Sequence, residues 1–177
     1  MMVEVVSLRM VRERSVPAPR VISRPSDVAK LWHMLHPDEP DREELWLVCL
    51  DASMQPTKIS MVSRGDLDGA LVTPREVFKT AILANARCII VVHNHPSGSV
   101  GPSEEDRWIT DVLWHAGEIL GIPLCDHVIV ANGRYYSVAS LEGWEGLMYA
   151  VPRDRQTRHD PGPETHASEG DWRAGQI

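Results

Sequence analysis

Two histidines, His93 and His95, stand one residue apart; Ser103 follows after seven residues and Asp106 after two more. In extended chain, side chains at i and i+2 point the same way, so both imidazoles can reach one ion. Ser103 reads as a helix N-cap, with Asp106 three residues into that helix. The glycine-bearing loop over 97–102 can fold the helix start back over the strand end and bring Asp106 in as an oxygen ligand. Two imidazoles and one carboxylate leave one zinc position open, the mark of a catalytic rather than a structural site. Zinc with an open position activates water for hydrolysis at neutral pH. Each residue also has a plainer reading. The histidines can bond backbone at a strand end, Ser103 is a cap in either case, and Asp106 suits a first helical turn.

These residues need a strand, a loop and a helix to hold them. Residues 88–92 form an all-apolar run, read as a buried central strand that delivers His93 and His95 at its end. Ligands gather at such strand mouths in α/β sheets. The pattern predicts a helix over 103–120 closed by Gly121, with Ile109, Val112, Leu113, Ala116 and Leu120 on its apolar face. Upstream, a helix is expected over 25–34, capped by Ser23 or Ser26 and burying Val28, Leu31 and Trp32. Strands follow over 44–51 and 58–63. Thr73-Pro74-Arg75-Glu76 has the pattern of a capping box opening a helix that runs to about Ala86. Downstream, strands at 127–130 and 134–138 flank Asn132-Gly133, a strong hairpin signal. The predicted domain is 22–150, with a leader over 1–21 and a disordered tail over 151–177, which is rich in proline, glycine and charge. Asp126-His127 reads as structural, or as bonding a ligand imidazole from behind. The remaining histidines, His36 among them, read as surface residues, and the tryptophans as core or interface.

Composition narrows the function classes. The chain has 177 residues, 43% hydrophobic and 24% charged, which suits one globular domain. Eighteen basic against 25 acidic side chains give a net charge of -7, a poor balance for non-specific binding to nucleic acid or anionic membrane. Five arginines between Arg9 and Arg24 concentrate basic charge near the start. Cys49, Cys88 and Cys125 lie far apart without a C-x-x-C, so neither a disulfide framework nor a thiolate zinc site is signalled. A reducing cytoplasm is the expected location, with no membrane contact.

The run His93-x-His95-x7-Ser103-x2-Asp106 resembles the JAMM metalloprotease motif of MPN (JAB) domains. Thr73-Pro74-Arg75-Glu76-Val77-Phe78-Lys79, His93-Asn94-His95-Pro96-Ser97-Gly98, Pro102-Ser103, Asp126-His127-Val128-Ile129-Val130 and Tyr135-Tyr136-Ser137 resemble its RadC-like branch in particular. The resemblance covers roughly 22–143. It implies an α/β fold, a mixed β-sheet flanked by α-helices with cytidine-deaminase-like layering. It implies one Zn2+ on His93, His95 and Asp106, and hydrolysis of an amide or isopeptide bond in a peptide or protein substrate. An upstream glutamate acts in that family as general base toward the metal-activated water. RadC-like sequences place it eight residues before the aspartate that ends the strand, which from Asp51 implies Glu43, with Glu44 as the neighbour facing the other way. Ser103 is then expected to help hold the oxyanion.

Two rivals follow. One is zinc-dependent deamination or hydrolysis of a nucleotide derivative; the H-x-E and P-C-x-x-C signature of the deaminases is missing. The other is an interaction module of DNA repair or mobile elements that retains its metal site. Longer RadC-like proteins begin with a helix-hairpin-helix segment; no glycine-bearing hairpin between two helices precedes the domain here. Contact with DNA is thus left open by the resemblance but not called for by the charge.

Overall fold

A computed structural model describes residues 2–65 and 72–141. The predicted 151–177 tail, the end of the predicted domain and Trp144 lie outside the described residues. Residues 2–19 carry no helix or strand, and the first buried apolar side chain is Ile22, whose N–H donates to the Met54 carbonyl.

Five strands form one mixed sheet in the order β2-β1-β3-β4-β5. They are β1 (Glu44–Leu50), β2 (Pro56–Arg64), β3 (Cys88–Asn94), β4 (Leu124–Ala131) and β5 (Arg134–Ser137). β3 runs antiparallel to β1 and parallel to β4, and every residue of β3 is buried. Strands covered on both faces lose the apolar–polar alternation, which is why β1 and β3 read as continuous apolar runs. Helix α1 (Pro25–Leu35) packs Val28, Leu31 and Trp32 on one face against Val48, Ile90, Val92 and Val128. Helices α2 (Pro74–Leu83) and α3 (Glu104–Leu120) cover the other face, where Val77, Phe78 and Leu113 meet Leu45, Leu47, Ile89 and Val91. A one-turn helix, α4 (Val138–Leu141), follows β5.

The caps depart from expectation at two helices. α1 is entered from Arg24 without a side-chain cap; Asp27 instead reaches back to the backbone and hydroxyl of Ser23 at 3.0 Å. α2 has Thr73 at its N-cap but no side-chain cap bond, and the Glu76 carboxylate pairs with Lys79 at 2.6 Å. α2 also stops at Leu83, where Asn85 takes a left-handed conformation. At α3 the capping box forms in full, and Gly121 closes the helix with φ 67°. Leu120 is exposed rather than buried there.

β4 begins three residues earlier than the sequence pattern predicts, for a local reason. Ile89 pairs with Leu124 but Ile90 with Asp126, so Cys125 is an extra residue, a β-bulge. Leu124 packs on the α2/α3 side while Cys125 and Val128 face α1. In a regular strand Leu124 and Val128 would share a face. The bulge therefore turns His127 onto the side occupied by α3.

Candidate metal centre

β3 ends at the mouth of the sheet, and its last turn of alternation sets His93 and His95 on the α3 side. His93 is fully buried and His95 half-buried. The loop after β3 is pinned at several points. The His95 N–H donates to the Val130 carbonyl at 3.0 Å, and the Arg134 guanidinium to the Gly98 carbonyl at 2.8 Å. Gly98 has φ 84°, and a Cβ there would meet Asn132 Nδ2 at 2.5 Å, so this close approach needs glycine. The loop thus rests on the Asn132-Gly133 hairpin turn and returns the chain to Ser103.

Ser103 caps α3. Its backbone N–H and hydroxyl donate to Asp106 Oδ2 at 2.7 and 2.8 Å, and its hydroxyl oxygen accepts from the Asp106 N–H at 3.0 Å. The capping box orients the Asp106 carboxylate and leaves Oδ1 turned toward the histidines. His93 Nε2 lies 3.1 Å from Oδ1, and His95 Nε2 lies 3.4 Å from Oδ2. The two imidazole Nε2 atoms are 2.8 Å apart. Ligand atoms around a tetrahedral zinc sit about 3.3 Å apart, so these spacings bracket what an ion requires. His93, His95 and Asp106 form a group that can hold a metal ion, with one ligand atom each and all within 4.8 Å of one another.

The proton inventory supports this fit. His95 Nδ1 faces the Ser99 carbonyl at 2.8 Å, an acceptor only, so Nδ1 carries the proton and Nε2 a lone pair. His93 Nδ1 faces His127 Nε2 at 2.7 Å, and His127 Nδ1 faces the Thr110 hydroxyl, which also contacts the Asp106 carbonyl. Burial, reinforced by the neighbouring His93, pushes His127 well below the usual histidine range, so it is neutral. Two or three lone-pair atoms crowded at this distance repel one another unless a cation or a proton sits among them. In the metal-free protein a proton does so. The hydrogen bond to the Asp106 carboxylate raises the His95 pKa, and for Asp106 burial pushes upward but His93 and His95 hold it far below the ordinary carboxylate range.

The two glutamates part company. The β1–β3 register pairs Leu45 with His93; carried on, it sets Glu44 opposite Asn94 and Glu43 opposite His95. The Glu44 N–H donates to Asn94 Oδ1 at 2.8 Å, as that register requires, and Asn94 Nδ2 donates to the Arg42 carbonyl at 3.0 Å. Glu43 therefore shares the histidine face, half-buried, and its charge favours the His95 proton. Glu44 turns away. Its carboxylate accepts from Trp46 Nε1 at 2.8 Å and meets His36 Nε2 and Arg64 Nε, both at 3.1 Å. His36 is correspondingly not a surface residue but meets Trp32 at a tilt and Trp46 edge-on. Isolated spacing gave no hint of this, because two of its partners, Glu44 and Trp46, come from β1.

His127 Nε2 approaches Nδ1 of His93, the imidazole expected to be a ligand. Asp126 does not approach the site; it accepts from the Ser137 hydroxyl and from the His127 and Ala139 N–H groups. The sequence reading missed Asn94 and Thr110. The signals were present: Asn94 lies between the two histidines, and Thr110 lies one turn after Asp106 on the same helix face.

Among the described residues no helix is long and apolar enough to cross a membrane. The family model that matches the chain describes a RadC-like JAB domain and covers residues 22–144. A UPF0758 protein of Thermotoga maritima is 50% identical over 97 residues, 55% of this chain and 44% of that protein. One from Rubrobacter xylanophilus is 43% identical over 135 residues, 75% of this chain and 59% of its own length. A Methanosarcina barkeri relative is 39% identical over 121 residues, 67% of this chain and 52% of that one. The chain thus spans about half the length of the curated relatives it matches. The mixed five-stranded sheet between helices agrees with a JAB/MPN domain, and with most of the chain matched, this protein belongs to the RadC-like JAB domain family.

Proposed function

We propose that the protein is a zinc-dependent hydrolase of amide or isopeptide bonds in a peptide or protein substrate. One observation carries the reading: His93, His95 and Asp106 converge as a group that can hold an ion, and the β1–β3 register, carried two residues past Leu45–His93, brings Glu43 toward the same face. His93 Nε2, His95 Nε2 and Asp106 Oδ1 would hold the ion. Zinc held there supplies an acidified water and polarises a substrate carbonyl. Glu43 takes the proton of the attacking water and returns it to the leaving nitrogen. In the structure the single hydroxyl proton of Ser103 goes to Asp106 Oδ2, so its service to an oxyanion requires the hydroxyl to turn. The partly exposed His95 and Glu43 open the site on one side, while β4 and α3 close the other.

Metal content by plasma mass spectrometry tests the reading, with wild type and Asp106→Ala prepared side by side. About one zinc per chain in the wild type and much less in the variant supports it, and peptide and isopeptide substrates can then be screened with the loaded protein. No zinc in the wild type after reconstitution overturns it.

A further inference from the structure

Behind His93 runs a chain of contacts that ends at the backbone of Asp106. His93 Nδ1 meets His127 Nε2 at 2.7 Å; His127 Nδ1 meets the Thr110 hydroxyl; the Thr110 hydroxyl meets the backbone carbonyl of Asp106. His127 and Thr110 are both buried. The protons of this chain can be ordered in two directions. If Thr110 donates to His127, then His127 donates to His93, and the His93 proton sits on Nε2, where an ion would have to be. If Thr110 donates to the Asp106 carbonyl one turn back in its own helix, its oxygen accepts from His127 Nδ1. His127 Nε2 then accepts from His93 Nδ1, and His93 Nε2 is left as a lone pair. Only the second order makes His93 a ligand.

We infer that Thr110 and His127 are positioning residues for the metal centre. Together they fix the tautomer of His93 and tie it to the helix turn that presents Asp106. The inference rests on the reading of His93, His95 and Asp106 as a metal site. Two structural devices serve it. The bulge at Cys125 turns His127 to this face, and the back-bond of Thr110 to the Asp106 carbonyl sets the direction of the whole relay. The relay ends on a neutral carbonyl of the residue whose carboxylate is itself a ligand. Two of the three ligands, from β3 and α3, are therefore linked without a further charge.

The test compares Thr110→Val, which keeps the branched shape and loses the hydroxyl, with Thr110→Ser, which does the reverse. Zinc dissociation constants are measured for each protein by competition with a chromophoric chelator, and the cobalt-substituted absorption spectrum is recorded alongside. Loss of such an outer partner weakens metal affinity about 10- to 100-fold. The relay predicts that Thr110→Val falls in that range with a changed cobalt spectrum, and that Thr110→Ser stays near wild type. A merely structural role for Thr110 predicts the opposite order, because Val preserves the packing. Thr110→Val, folded and binding zinc as tightly as wild type, overturns the inference and leaves the site reading intact. A wild type that binds no zinc overturns both.

Discussion

At the scale of single residues, neighbours in sequence have been given separate work by the pleat. Glu43 faces the histidines, and Glu44 is buried on the α1 side among Trp46, His36 and Arg64. Glu43→Gln keeps the shape and removes the base, so the loaded protein should retain zinc and lose about 10²-fold or more in turnover. His95→Ala should lose both zinc and activity. Glu44→Gln should leave zinc content alone and cost about 1–3 kcal/mol in stability, read by denaturant unfolding, because it removes the charge from a buried carboxylate that pairs with Trp46, His36 and the partly exposed Arg64. Full activity in Glu43→Gln would show the base to be elsewhere. Asp126 gives a different signature. Burial pushes its pKa from 3.8 up to about 6, against the donors Ser137, Ala139 and His127. Between those values the folded protein keeps a proton that the unfolded chain has released. Its contribution to stability therefore falls as pH rises from about 4 to 6, by about 3 kcal/mol. Asp126→Asn can keep the acceptor toward the two N–H groups and donate to Ser137. Relative to wild type it should gain stability across that window; a difference that stays flat with pH would show that Asp126 is not proton-linked.

At the scale of elements, α3 and β4 decide whether the site assembles. α3 presents Asp106 through its capping box, so Ser103→Ala should cost about 1 kcal/mol of stability and loosen the carboxylate. Near its other end, a Cβ on Gly117 would lie 2.7 Å from the Ile122 carbonyl and 3.2 Å from the Leu124 N–H. Those are backbone atoms at the start of the bulged strand, and they cannot swing aside. Gly117→Ala should therefore destabilise the fold by about 1–3 kcal/mol despite the better helix former, and denaturant midpoints would report it. An unchanged midpoint would mean that the α3–β4 connection yields easily. The elements themselves were largely legible: β3, α3, the Asn132-Gly133 hairpin and the three convergent side chains all follow from local pattern. The bulge was not. It needs the partner strand to be visible, since one residue out of step in β4 has no mark in the sequence of β4. The cap of α2 shows the same limit, because Glu76 pairs with Lys79 in a way that the Thr-x-x-Glu spacing does not reveal.

At the scale of the whole molecule, the candidate site joins residues from β3 and the loop after it, α3 and β4, so filling it should stabilise the entire domain. In the metal-free protein Asp106 and the imidazoles hold one another through a proton. The raised pKa of His95 gives stability that is fully present below 6.5 and lost as pH rises through its folded value. The depressed Asp106 gives stability present above 3.8 and lost only as pH falls below it. Zinc must displace the His95 proton, so its own contribution runs the other way, small in mild acid and growing as pH rises. At about pH 8, with free zinc at about 100 times its dissociation constant, the gain is about 2.7 kcal/mol. For a domain of this size that is a rise of roughly 10 °C in melting temperature over a chelator-treated sample. Near pH 6 the same free zinc should raise it much less. Thermal scans with zinc and with chelator at the two pH values measure both numbers. A zinc-induced shift equal at both would mean that the ion does not compete with the His95 proton, and that the ligand set has to be sought among other residues.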